Sequence, residues 1–208
     1  ISPYSFDVGS SGSVSAIQPR QWQTQLIQRL RRRLDGEATG EQDVLVFAGP
    51  GAGKTLGALL AFRSMRQEQR LQHFLVFCHR TSILEQWQRA AARLGLSLVS
   101  WPCEPGRLSQ ADGLLLTYQS AGRQPQQLAA ALRPWPSSSQ LAIADEAHHL
   151  GLDPDEPGAA AWSLSFEEQT SHCRLRLGLT GTPFRADNLG FCAARRIRTV
   201  QNGELVEQ

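Results

Sequence analysis

The stretch that most restricts the fold of this chain is DVLVFAGPGAGKTLGALLAF, residues 43–62. An apolar run, 43–48, passes directly into a glycine-rich loop, and a helical pattern begins at Lys54. Strand, tight loop and helix in that order predict a parallel sheet with helices packed on it. They also predict a ligand. Glycines let the backbone of Gly49, Pro50, Gly51, Ala52 and Gly53 turn sharply and aim its N–H groups at phosphate oxygens. The following helix start adds partial positive charge. Lys54 is placed to reach the outer phosphates, and the Thr55 hydroxyl to hold Mg2+. Ala48 stands where the strict G-x-x-x-x-G-K-[ST] pattern has glycine, so the match is to a relaxed form.

Lys54 is the sole lysine among 21 Lys and Arg residues. An ammonium is a compact charge on a slim stem that fits inside a ring of backbone N–H groups, whereas a guanidinium is a wide planar fork. A chain that uses arginine at every other cationic position keeps lysine where shape matters.

Beyond the loop, short apolar runs alternate with helical patterns. Strands are expected at 73–78, 96–101, 113–118, 141–145 and 174–180, and helices at 54–69, 82–94, 125–132 and 159–169. Trp22, Leu26, Ile27, Leu30 and Leu34 recur at helical spacing ahead of the loop. Ser82 and Glu85 match a capping box, S-x-x-E. The class is therefore α/β, a mostly parallel sheet with helices on both faces. Ligands of such sheets sit beyond the carboxyl ends of the strands.

Composition narrows the rest. With 208 residues, 41% apolar and 19% charged, the chain is expected to be globular. No apolar run approaches the roughly 18–20 residues that cross a bilayer, and the first residues lack the pattern of a signal peptide. The four cysteines are widely spaced, which argues against a zinc site and fits free thiols in a reducing, cytoplasmic setting. A net charge of +2 does not by itself indicate nucleic acid.

Two further segments carry chemistry. LAIADEAHH, 141–149, is an apolar strand ending in two acids. Asp145 at the tip suits Mg2+, commonly through water, and Glu146 suits the orientation or deprotonation of an attacking water. His148 and His149 find no further ligands at zinc spacing. RLGLTGTPFR, 176–185 with the preceding Arg174 and Leu175, is a second strand, ending in hydroxyls; Thr180 and Thr182 flank Gly181 and can sense the outer phosphate through the acidic pair.

Together these segments resemble the first RecA-like domain of a superfamily-2 helicase or translocase of the DEAD/DEAH-box class. AGPGAGKT resembles motif I in the form A-x-x-G-x-G-K-T, FLVFCHRTSILEQW resembles motif Ia, DEAH motif II and TGTP motif III. PRQWQ resembles the adenine-reading segment upstream, which implies Arg20 and Gln23 as base contacts. LLLTYQSA resembles a backbone-gripping segment. The resemblance spans residues 17–186 and looks closest to the branch of type I and III restriction-enzyme motor subunits and DNA-repair translocases. It implies ATP and Mg2+ as cofactors, coupling through His148, Thr180 and Thr182, and nucleic acid as partner, DNA ahead of RNA. It also implies a second RecA-like domain that supplies arginine fingers. Departures are His79 where motif Ia usually has Pro, and Thr-Gly-Thr in motif III.

Backbone phosphates are gripped by Arg, hydroxyls and N–H groups at helix starts, so Arg80, Thr81, Thr117 and Gln119 are the nucleic-acid candidates. Arg29, Arg31, Arg32 and Arg33 read first as a solvated helix face. The expected division is a Ser/Gly-rich arm at 1–16, the ATP-binding domain at 17–186, and at 187–208 the start of a connection. The basic segment ARRIRTV, 194–200, reads as solvated. Alternatives are an RNA helicase, a nuclease-coupled restriction motor and a non-hydrolysing nucleotide-binding scaffold; an intact Glu146 speaks against the last.

Overall fold

The computed structural model describes residues 17–36, 42–150, 159–181, 197–201 and 204–207. The expected arm at 1–16, Thr182 and the stretch 187–196 lie outside these residues. Among the described residues, eight strands form one sheet: β1 (Asp43–Phe47), β2 (His73–Cys78), β3 (Leu98–Ser100), β4 (Gly113–Thr117), β5 (Gln140–Ala144), β6 (Leu175–Thr180), β7 (Ile197–Gln201) and β8 (Glu204–Glu207). Their order is β3-β4-β2-β5-β6-β1-β7-β8. Every neighbouring pair is parallel except β7 with β8. The helices are α1 (Gln21–Leu34), α2 (Lys54–Gln67), α3 (Leu84–Arg93), α4 (Pro105–Leu108), α5 (Tyr118–Arg123), α6 (Pro125–Leu132) and α7 (Ala159–Thr170).

The central strands, such as HFLVFC of β2 and QLAIA of β5, are almost wholly apolar and buried because both faces are covered. Alternate side chains go to opposite sides. Val44, Val46, Phe74 and Val76 join a core with Trp22, Leu26 and Leu30 of α1, Leu59 and Phe62 of α2 and Trp87 of α3. Leu45, Leu75 and Phe77 join the other core, with Tyr118 of α5, Leu128 of α6 and Phe166 of α7. Across β1 and β6, Arg176 makes a two-pronged ion pair with Asp43, and both side chains are only 8% exposed. Burial pushes the Asp43 carboxyl up, against the pull of Arg176.

The expected strands and helices appear within a few residues, with four differences. The run 96–101 contributes only Leu98–Ser100 as strand. Ser82 and Glu85 form no capping box, because a 3-10 turn over Thr81–Ile83 precedes α3 and its N-cap is Ile83. Thr117 and Ser120 form one instead, at the start of α5. The arginine run is less solvated than expected: Arg33 is buried, and Arg31 pairs with Glu68 at the end of α2. The tail also departs, since Ile197–Val200 lies in β7 beside β1. IRTVQ and ELVE flank Asn202-Gly203, the dipeptide most typical of a two-residue hairpin, and Gln201 pairs with Glu204.

Candidate nucleotide and metal site

The strand order brings the carboxyl ends of β5, β6 and β1 side by side. These ends carry, in turn, Asp145–Glu146, Thr180–Gly181 and the glycine loop. Lys54, Thr55, Gly51, Gly53, Asp145 and Glu146 share the wall of one cleft of about 770 Å³ with Ser82, Glu85 and Arg89. An apolar cavity of about 650 Å³, lined by Leu128, Leu132 and Trp135, lies instead by the amino ends of β5 and β6. Ligands of parallel sheets gather at the opposite ends.

Two loop residues need the left-handed backbone that glycine permits. Gly51 has φ 71° and Gly53 φ 83°; Gly49 does not. Gly53 is the N-cap of α2, so the orphan N–H groups of that helix open toward the loop. The Lys54 ammonium folds back into the loop and donates to the carbonyls of Ala48 at 3.0 Å and Gly49 at 3.4 Å. The loop follows β1 into register with β6, where the Ala48 N–H donates to the Thr180 carbonyl. A Cβ on Gly181 would sit 3.3 Å from the Lys54 ammonium.

Three consecutive loop carbonyls are held from behind by α1 and its N-cap. Arg20 donates to Gly51 at 2.8 Å, the Trp22 indole to Ala52 at 3.0 Å and the Gln23 amide to Gly53 at 3.0 Å. Gln23 is buried, and its other amide atom accepts from the Arg20 N–H. As placed, Arg20 and Gln23 therefore brace the loop. Trp22 is equally buried and was legible only as a core residue. The clue was its polar edge, since a buried indole N–H almost always finds an acceptor.

Asp145 is buried, which pushes its carboxyl up; the Trp87 indole N–H counters this by donating to Oδ2 at 2.8 Å. The Glu146 N–H donates to Oδ1, and the Tyr118 hydroxyl donates to the Asp145 carbonyl at 2.8 Å. Trp87 and Tyr118 were not expected at the site. Glu146 takes a left-handed backbone, φ 49°, at a cost of about 1–3 kcal/mol for a residue with a side chain. His148 Nδ1 lies 2.9 Å from the Thr180 hydroxyl and 3.3 Å from a Glu146 oxygen. The chain thus links the acid pair to β6 through one imidazole.

The oxygens of Asp145 and Thr55, with water, make the hard donor set that Mg2+ takes. They fit that ion at this cleft. The donor atoms of Glu146, His148 and His149 lie within 4.8 Å of one another, a grouping that sequence spacing alone did not reveal. Within it, His148 Nδ1 already meets Thr180 and Glu146. His149 stacks on His79 with ring centroids 3.9 Å apart.

Of the remaining candidates, Arg80 and Thr81 are exposed at the start of the 3-10 turn, and Gln119 is exposed on α5. The Thr117 hydroxyl is occupied in capping that helix. No described helix is long and apolar enough to cross a membrane.

Comparison with known proteins places the chain. An uncharacterized protein of Mycobacterium leprae is 31% identical over 153 residues, 73% of this chain and 24% of that protein. The chain thus spans about a quarter of that curated relative. The Sulfolobus solfataricus SWI2/SNF2 ATPase core, solved in complex with dsDNA, superposes with a TM-score of 0.62 at 20% identity, over 83% of this chain and 34% of that one. The type ISP restriction-modification enzyme LlaGI, solved with a DNA substrate mimic, gives 0.61 at 16% identity over 86% of this chain and 19% of its own. These likenesses show a RecA-like P-loop NTPase fold. The sequence family described as type III restriction enzyme, res subunit, matches residues 16–185, and the chain belongs to that family.

Proposed function

We propose that the chain is the first ATP-binding half of a DNA helicase or translocase, which couples ATP hydrolysis to movement along nucleic acid. The observation that carries this reading is the meeting of the glycine loop, Lys54 and the Asp145–Glu146 pair in one cleft at the strand tips. In this reading the N–H groups of residues 49–53 and the Lys54 ammonium hold the phosphates. Thr55 and Asp145 hold Mg2+, which when bound neutralises charge on the outer phosphates. Glu146 orients the attacking water and accepts its proton. His148 and Thr180, 2.9 Å apart, carry the state of Glu146 to β6 and the Thr182 segment.

Arg80, Thr81, Thr117 and Gln119 are the proposed contacts to nucleic-acid backbone. That the relatives in the solved complexes hold DNA favours DNA over RNA here. Transition-state charge is assigned to arginines of a second RecA-like domain, an effect worth about 10³–10⁵ in rate elsewhere. The isolated 208 residues are then expected to bind ATP and turn it over slowly.

The test is ATP turnover by the complete protein with single-stranded DNA, duplex DNA or RNA, beside Lys54→Ala and Glu146→Gln. DNA should stimulate the native protein and neither variant. Stimulation by RNA alone would move the assignment to RNA, and no response to any polynucleotide would defeat it.

A further inference from the structure

Every polar group of Asp145 has a partner. Its N–H donates to the Phe77 carbonyl at 2.8 Å, which extends the pairing of β5 with β2 by one residue. Oδ1 accepts from the next N–H along the chain. The two other partners arrive from outside this strand pair. Oδ2 accepts from Trp87, which is wholly buried on α3, and the carbonyl accepts from Tyr118, the first residue of α5.

The geometry points to Trp87 as a positioning residue that sets the Asp145 carboxylate for the divalent cation, with Tyr118 fixing the backbone beneath it. This inference rests on the reading that Asp145 supports Mg2+. Mg2+ demands near-ideal octahedral geometry, so a carboxylate that can rotate about χ2 is a poorer partner than one held on both oxygens. Tryptophan meets that need, because its ring fills the core under α3 while its single N–H points at one oxygen.

Placement adds a consequence. Trp87 follows the Thr81–Ile83 turn, exposed at Thr81 and Ser82, on the same short helical segment, and Tyr118 directly follows Thr117. Both hands on Asp145 therefore belong to the segments proposed to touch nucleic acid. A shift of either segment on its ligand would be felt first as a turn of the metal-binding carboxylate.

The experiment uses Trp87→Phe and Tyr118→Phe in the complete protein. Nucleotide affinity is measured by fluorescence with a labelled ADP, first without divalent ion and then across Mg2+ and Ca2+ titrations. Melting is followed in parallel. Removing one hydrogen bond to a charged group should weaken apparent Mg2+ affinity about tenfold in Trp87→Phe. Metal-free ADP affinity should stay within about twofold, and Ca2+, flexible in geometry, should lose less than Mg2+. Tyr118→Phe removes only a hydroxyl, so it keeps the question answerable if Trp87→Phe folds poorly; it should shift Mg2+ in the same direction by a smaller factor. A role in packing alone would lower the melting temperature and leave the Mg2+ to Ca2+ ratio of native protein unchanged. That outcome in both variants overturns the inference. If native protein binds ADP yet gains nothing from Mg2+, the inference and the metal assignment to Asp145 fall together. If it binds no nucleotide at all, the functional reading itself is lost.

Discussion

Replacing Gly57 with alanine sets two known effects against each other. Gly57 sits in the first turns of α2, where alanine should stabilise by about 1 kcal/mol through helix propensity alone. Yet α1 lies so close that a Cβ would stand 2.6 Å from Trp22 Cη2, 3.1 Å from Cζ3 and 3.3 Å from Gln23 Cγ. Ordinary carbon contacts begin near 3.5 Å, so the indole must retreat by about 1 Å. Trp22 is 1% exposed and tied to the Ala52 carbonyl, so it has nowhere easy to go. Overpacking of this kind costs about 1–3 kcal/mol. The net expectation is a loss of about 0–2 kcal/mol, read by urea unfolding. The same retreat strains the braces on Ala52 and Gly53, so nucleotide affinity should fall about fivefold, the equivalent of one ordinary hydrogen bond. The decisive measurement repeats Gly57→Ala in a Trp22→Phe background, which lacks the two colliding indole carbons and leaves only the milder contact with Gln23. There the alanine should stabilise by about 1 kcal/mol. If it stabilises equally in both backgrounds, the close packing of α1 on α2 is not what requires glycine, and the reasoning fails.

Two further outcomes are expected. Arg176→Met leaves the buried Asp43 carboxylate without its partner and should cost about 3–5 kcal/mol, whereas a paired Asp43→Leu, Arg176→Met replacement should be close to neutral by denaturant titration. Burial holds His73 below its ordinary value of 6.5, aided by Arg66 and opposed by Asp112. The unfolded chain then takes up a proton first, so stability is lost as pH falls from about 6.5 toward the lower folded value. His73→Phe keeps the stack on Trp135 and should flatten that part of the stability–pH curve; an unchanged slope would show that His73 takes up its proton alike in the folded and unfolded chain.

The glycine loop, the acid pair and the alternating strands were readable because each is local. Phosphate binding requires particular residues at fixed spacing, and a doubly covered strand requires an unbroken apolar run. The braces were not readable, because they join residues about 30 apart, and Trp22, Trp87 and Tyr118 look from the sequence like ordinary core aromatics. Ser82 and Glu85 misled for the opposite reason: a local pattern matched, but a 3-10 turn moved the helix start past it. The β7–β8 pair was missed by weighing the arginines of 194–200 above the Asn-Gly signal that follows them.

The solitary ammonium has a practical side. No other side-chain amine exists in the 208 residues, and this one is half-buried among the carbonyls of Ala48 and Gly49. An amine-directed acylating reagent therefore meets a single lysine, at the mouth of the cleft. The rate of its modification, followed by peptide mass mapping to separate it from the terminal α-amine, becomes a direct gauge of whether the loop is filled, with no label or engineered residue required.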